Sequence, residues 1–143
     1  MKNRFIIALL IMVLTGMFLS IHAMAEPELP NADPEMFECY SNGDGTWTVA
    51  YYNGQDPNVN LAIPITYDEL EGGVITIIDK SAFHNQYYFT GRLIIPESIV
   101  EIRKRAFEGC YGLSGDFIIP DSVEIIGEHA FDGCTGFSGE SAS

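Results

Sequence analysis

Residues 91–114 read GRLIIPESIVEIRKRAFEGCYGLS, and residues 115–138 read GDFIIPDSVEIIGEHAFDGCTGFS. The two stretches align without a gap and are identical at 12 of 24 positions; Leu93/Phe117, Glu97/Asp121, Ile99/Val123, Glu108/Asp132 and Leu113/Phe137 differ conservatively. A period of this length marks a repeat architecture, in which each unit is too small for a core of its own and buries its apolar side against its neighbours. The pattern persists one period earlier, where Ile75, Ile78, Ala82, Phe83, Phe89 and Gly91 stand 24 residues before Ile99, Ile102, Ala106, Phe107, Leu113 and Gly115. The earliest unit is stretched. Ile63-Pro64 precedes Ile95-Pro96 by 32 residues, which places eight extra residues in the segment ITYDELEGG, residues 65–73, acidic and Gly-terminated as a surface loop should be.

Within a unit, Leu93 and Ile95 (Phe117 and Ile119 in the next) alternate with Arg92 and Ile94 (Asp116 and Ile118), which predicts a short strand ended by Pro96 or Pro120. Ile99 and Ile102 then point inward, a helical turn is expected at Ala106-Phe107, and Gly109 and Gly133 suit the left-handed conformation that ends one. The unit is therefore expected to be α/β. Ahead of the repeats, residues 37–52 alternate around Asn42-Gly43-Asp44-Gly45, a hairpin turn signal. A hairpin there is expected to cover the apolar end of the first unit.

At the N-terminus Lys2 and Arg4 precede an apolar run, residues 5–21, that ends in Ala23-Met24-Ala25. This is the pattern of a secretory signal peptide cleaved after Ala25. The expected organisation is a signal peptide at 1–25, a leader of little order at 26–35, a hairpin cap at 36–59, repeats at 60–139 and a tail at 140–143. Cleavage removes Lys2 and Arg4 and no acidic residue, taking the formal charge from -13 to -15. A field of that sign repels nucleic acid and anionic membranes. With no second apolar stretch, the mature chain is expected to be released.

The residues that recur, G-x-[LF]-x-I-P-[ED]-S-[IV]-x-x-I-x-x-x-A-F-x-G-C-x-G-[LF]-[ST], resemble the BspA-type leucine-rich repeat of cell-surface and secreted proteins from host-associated bacteria and some protists. The likeness covers residues 74–139 well, 60–73 loosely and nothing before Thr46. It implies a right-handed leucine-rich-repeat solenoid, here of about three coils. It also implies a non-enzymatic role in binding or adhesion, with an extracellular protein or glycan as partner. Such proteins usually carry more coils, so a second reading stays open: a structural part, or a piece of a longer solenoid, that associates with itself or with another solenoid through an uncovered end formed by Phe117, Ile119, Phe131 and Phe137.

No motif for metal-dependent, serine-nucleophile or phosphate chemistry is present, and no enzyme or cofactor is expected. Gly136-Phe137-Ser138-Gly139 is one residue short of a nucleophile elbow and belongs to the punctuation of the repeat. Asn42 to Thr46 begins like a calcium loop, but Trp47 stands where Gly is required and Asn53 where Glu is required, so a turn is favoured. His84 and His129 occupy different repeat positions and are not expected to meet at a metal. Cys110 and Cys134 share a position in consecutive units, where a buried thiol ladder is favoured over a disulfide; Cys39 has no partner in either case. Arg103-Lys104-Arg105 suggests a polyanion site, yet Asp79 lies one period before Arg103 and Glu128 one period after Lys104, so charge pairing between units is favoured. Ala62, Ile94 and Ile118 are apolar at outward strand positions. With Arg92 and Asp116 they form a candidate ligand-contact face, unless the run Tyr87-Tyr88-Phe89 covers it.

Overall fold

The computed structural model describes residues 29–138 except 59, 65 and 68–72. The signal segment, residues 1–25, and the tail, 140–143, lie outside the described residues. The strands in chain order are β1 (Phe37–Ser41), β2 (Thr46–Tyr52), β3 (Leu61–Ala62), β4 (Thr66–Tyr67), β5 (Gly73–Ile78), β6 (Leu93–Ile94), β7 (Glu101–Ile102) and β8 (Ile125–Ile126). The main sheet runs β1-β2-β5-β7-β8, with β4 antiparallel on β5, and β3 and β6 form a second, parallel pair.

β1 and β2 are the hairpin expected from the turn signal. Gly43 and Gly45 take φ of 84° and 89°, and Asp44 Oδ1 accepts both the Thr46 N–H (2.9 Å) and the Thr46 hydroxyl (2.6 Å), which closes the turn. Phe37 and Tyr52 then carry the hairpin's apolar face onto Phe83, with ring centroids 6.2 and 6.5 Å from it.

β5, β7 and β8 pair in succession. Ile77 stands beside Glu101 and Glu101 beside Ile125 in one parallel register, with Ile78, Ile102 and Ile126 adjacent. Inside the sheet, Phe83, Phe107 and Phe131 stack nearly parallel, at 4.9 Å and 4° and then 5.3 Å and 5°. Ile75, Ile78, Ile99, Ile102, Ala82 and Ala106 fill the same core without exposure.

The second half of each unit is built from turns, not from the helical turn expected at Ala106-Phe107. Ser81, Arg105 and His129, at one repeat position, have φ of 59°, 58° and 59°; Asn85, Gly109 and Gly133, at another, have 60°, 79° and 78°. Two left-handed residues four apart leave no run of right-handed residues long enough to propagate a helix. They direct every second N–H toward the next unit instead: Ser81, Phe83 and Asn85 donate to the carbonyls of Lys104, Ala106 and Glu108, and Arg105, Phe107 and Gly109 to those of Glu128, Ala130 and Asp132. Among the described residues the only helical segment is one 3-10 turn, Pro34–Met36. The unit is a strand-and-turn repeat rather than α/β.

Two further expectations are corrected. The inserted segment in the first unit is not only loop, because β4 folds back on β5 with Thr66 beside Val74. The leader is ordered at its end. Ala32 donates to Asn60 O and Asn60 to Pro30 O, both at 2.8 Å, and Ala32 is buried. Asn60 holds this junction: its Nδ2 donates to Leu29 O (2.8 Å) and its Oδ1 accepts the Arg92 N–H (2.9 Å). Three prolines hid the docking from a periodicity reading, because it is made by backbone groups and not by an apolar face. Asn60→Ala strands both of those partners and is expected to cost roughly 1–2 kcal/mol, read as a lowered urea midpoint; an unchanged midpoint would show that the leader docks without it.

Candidate functional site

The outer side of the main sheet carries a groove of about 660 Å³. Its floor is apolar, from Ile77 on β5, Val100 at the entry to β7 and Ile125 on β8; its walls are polar, from Tyr40 on β1, Asn42 and Asp44 in the hairpin turn, Thr76 on β5, and Glu101 and Arg103 around β7. The local reason is register. Where Ile78 and Ile102 turn into the core, Ile77, Glu101 and Ile125 turn out, and the β1–β2 hairpin rises beside them as one wall.

Arg103 is fixed in this wall. Its Nη1 donates to Asp79 Oδ1 at 2.9 Å and to the Tyr40 hydroxyl at 3.3 Å, its Nε to Glu101 Oε1 at 3.3 Å, and the Tyr40 hydroxyl donates to Asp79 Oδ2 at 2.9 Å. The bond to Asp79 raises the Arg103 guanidinium above its ordinary value, against a smaller opposing effect of burial. For Asp79, burial alone would raise the carboxyl, but hydrogen bonds from Arg103, the Lys80 N–H and Tyr40 outweigh it and hold the group below the usual carboxylate range. A depressed folded pKa stabilises the fold above the unfolded value, near 3.9, and that stabilisation is lost as pH falls through the folded pKa. Asp79→Asn is therefore expected to lower the melting temperature at pH 7 while losing less on acidification to pH 3 than the parent; identical pH profiles would remove Asp79 from this role.

The cross-unit pairs expected from the period are present: Arg103 with Asp79, and Lys104 Nζ with Glu128, whose carboxyl is lowered by that bond. Arg105 Nε meets Glu108 Oε2 at 3.4 Å. All three members of the basic run are thus paired with carboxylates, which leaves no open polyanion site there.

The candidate contact face is not part of the groove. Ile94, on β6, is exposed, as are Arg92 and Asp116, and Ile118 is 73% exposed. Residues 117–119 form no strand, so the face is a two-strand patch, β3 with β6, followed by an irregular segment. The aromatic run does not cover it: Phe89 is in the core, Tyr88 donates its hydroxyl to Gly54 O (2.9 Å), and Tyr87 is exposed. At the other candidate site Phe117, Phe131 and Phe137 do come together, with centroids 4.8 Å (Phe117–Phe131) and 4.5 Å (Phe117–Phe137) apart, while Ile119 is exposed. The strand edge expected at Phe117 and Ile119 lies instead at β8, whose Ile125 and Ile126 are 55% and 48% exposed.

His84 meets Glu108 at 3.4 Å, and His129 meets Glu128 at 3.2 Å and Asp132 at 3.5 Å, in separate places. Cys110 and Cys134 are thiols that donate to Phe83 O (3.0 Å) and Phe107 O (3.2 Å), a step repeated with the period; Cys110 is raised by its hydrogen bond with Cys134 and by burial. Burial pushes the Cys39 thiol up to about 12. The same hydrogen bond with Cys110 lowers the Cys134 thiol, against an opposing effect of burial.

Tyr40, Glu101 and Ile125 were not singled out from the sequence. One signal was there: the column Ile77, Glu101, Ile125 places a charge between two isoleucines at one repeat position, so that position faces out.

Parallel strands joined by turns, stacked on ladders of like side chains, define a leucine-rich-repeat fold. Residues 69–139 match the family model described as BspA type leucine rich repeat region (6 copies). Through these repeats the chain belongs to the BspA-type leucine-rich repeat family. It is similar to a leucine-rich repeat protein of Bacteroides ovatus, with 26% identity and a TM-score of 0.63 over 73% of this chain and 27% of that one. A leucine rich cell surface protein of Faecalibacterium prausnitzii shares 24% identity at a TM-score of 0.65 over 80% and 31%. A leucine-rich repeat protein of Bacteroides capillosus shares 21% at 0.54 over 76% and 98%. The chain thus spans less than a third of the first two. No curated protein matches the sequence. Leucine-rich repeats are generally non-enzymatic binding modules, and the BspA type is typical of bacterial surface or secreted proteins. Among the described residues no helix is long and apolar enough to cross a membrane.

Proposed function

We propose that this chain is an exported, non-enzymatic binding or adhesion module that holds an extracellular protein or glycan in the groove on the outer side of its main sheet. On this reading it is a right-handed solenoid of about three coils, with the β1–β2 hairpin as its N-terminal cap. The groove carries the reading: a concave, mostly apolar floor with a few fixed polar groups is the usual form of a binding site, and here the polar groups are locked by the Tyr40–Asp79–Arg103–Glu101 network. Export rests on the signal-peptide pattern; material secreted into the medium is expected to begin at Glu26.

The test is a panel of purified extracellular matrix proteins and arrayed glycans probed with the chain from Glu26 onward, beside a Tyr40→Ala/Ile125→Ser variant. Binding of a panel member that the variant loses supports the groove. Binding that survives the variant but is lost in Ile94→Ser/Ile118→Ser would move the site to the Arg92, Ile94, Asp116, Ile118 face. A second reading, assembly through the end of the stack, is favoured by β8 and by the N–H groups of His129, Phe131 and Gly133, which have no backbone acceptor among the described residues. Light scattering that shows growth with concentration, abolished by Ile126→Lys, would support it.

A further inference from the structure

We infer that the groove takes a positively charged side chain, the lysine or arginine of an extended peptide segment, between Asp44 and Glu101, with the neighbouring apolar residues of that segment on Val100 and Ile125. This rests on the groove being a binding site and assigns the chemistry of its ligand.

The charge count of the groove points to a cation. Its one basic side chain, Arg103, is already divided among Asp79, Glu101 and Tyr40. Asp79 has both oxygens engaged, Oδ1 by Arg103 and the Lys80 N–H and Oδ2 by Tyr40. The two carboxylates that line the groove itself, Asp44 and Glu101, are not used up. Asp44 spends Oδ1 on Thr46, which keeps its carboxyl below the ordinary range and ionised at neutral pH, and Glu101 spends Oε1 on Arg103. One oxygen of each carboxylate is left for a ligand. The chain as a whole carries -13, so its field concentrates cationic partners.

The floor points to a peptide rather than a free cation. Val100 and Ile125 are 37% and 55% exposed, apolar area that a small cation leaves wet and that the side chains flanking a lysine would cover. At about 660 Å³ the groove has room for several residues of extended chain. A neutral glycan would strip water from two carboxylates with no opposite charge in return.

The test uses the 15N-labelled chain titrated with three capped hexapeptides, (Leu-Lys)3, (Leu-Gln)3 and (Leu-Glu)3, and with a neutral hexasaccharide. The expected result is that (Leu-Lys)3 shifts the amides of Thr76, Ile77, Glu101 and Arg103 and binds about tenfold or more tighter than (Leu-Gln)3, with weakening by salt. Asp44→Asn and Glu101→Gln keep the internal hydrogen bonds of these side chains and should each loosen (Leu-Lys)3 about three- to tenfold, whereas Glu97→Gln, an exposed carboxylate outside the groove, should not. Equal affinity for the lysine and glutamine peptides, or equal loss in Glu97→Gln, would overturn the inference. If the hexasaccharide or the glutamine peptide shifts the same amides more strongly, the groove remains a binding site and only the cationic assignment falls. If none of the four probes shifts them, both fall.

Discussion

Phe107→Ala is expected to unfold this chain, or to bring it to the edge of unfolding, at room temperature. The ring has no exposure and lies flat between Phe83 at 4.9 Å and Phe131 at 5.3 Å, so both faces are in contact with the neighbouring units. Removing it takes away a stack that ties three units together and leaves a cavity that fixed strands on either side cannot close. Such deletions cost about 3–5 kcal/mol, comparable with the whole stability of a small domain. The repeat alone would assign Phe131→Ala the same cost. The structure separates them: Phe131 is half-buried, stacked on Phe107 from one side and touched at an angle by Phe117, so its removal should cost distinctly less. Urea titration followed by circular dichroism distinguishes the two, and a wild-type midpoint in Phe107→Ala would mean that the ring is not at the centre of the stack.

Gly112→Ala is the second large effect, for the opposite reason. A Cβ built there falls 2.1 Å from Phe89 O and 2.8 Å from Tyr87 O, backbone atoms of the preceding unit. Neither can swing aside as a side-chain tip would, and the Phe89 ring is anchored in the core. Accommodating one methyl group means separating two units, and the cost should reach or exceed the roughly 1–3 kcal/mol typical of overpacking. Gly136 repeats the contact one unit on, 2.1 Å from Leu113 O, which marks the close approach as part of the repeat. A Gly112→Ala chain with unchanged thermal midpoint would show that the units sit further apart than described.

The period made the stacked side chains legible, because a unit that is copied in sequence copies its core: Phe83, Phe107 and Phe131, or Cys110 and Cys134, are recognisable as ladders from their spacing alone. The hairpin was legible because its turn demands glycines at positive φ. The path of the backbone between core residues was not. Ser81, Arg105 and His129 give no sign in their side chains that they adopt the left-handed conformation, and with it the expected helical turn becomes a run of inter-unit hydrogen bonds. Strand content was misplaced for a related reason. Residues 117–119 alternate as a strand should, yet the ladder that extends through the units runs through Glu101–Ile102 and Ile125–Ile126. The groove was hardest to read because one wall comes from a hairpin outside the repeat, while the rest of its walls and its floor come from separate units. No local stretch contains it.

Hydrogen–deuterium exchange of the chain with a bound partner from the extracellular panel tests the central claim most directly. The account predicts protection at residues 40–46, 76–77 and 100–103, the wall and floor of the groove. Protection confined to residues 92–94 and 116–118, with the groove unchanged, would contradict it.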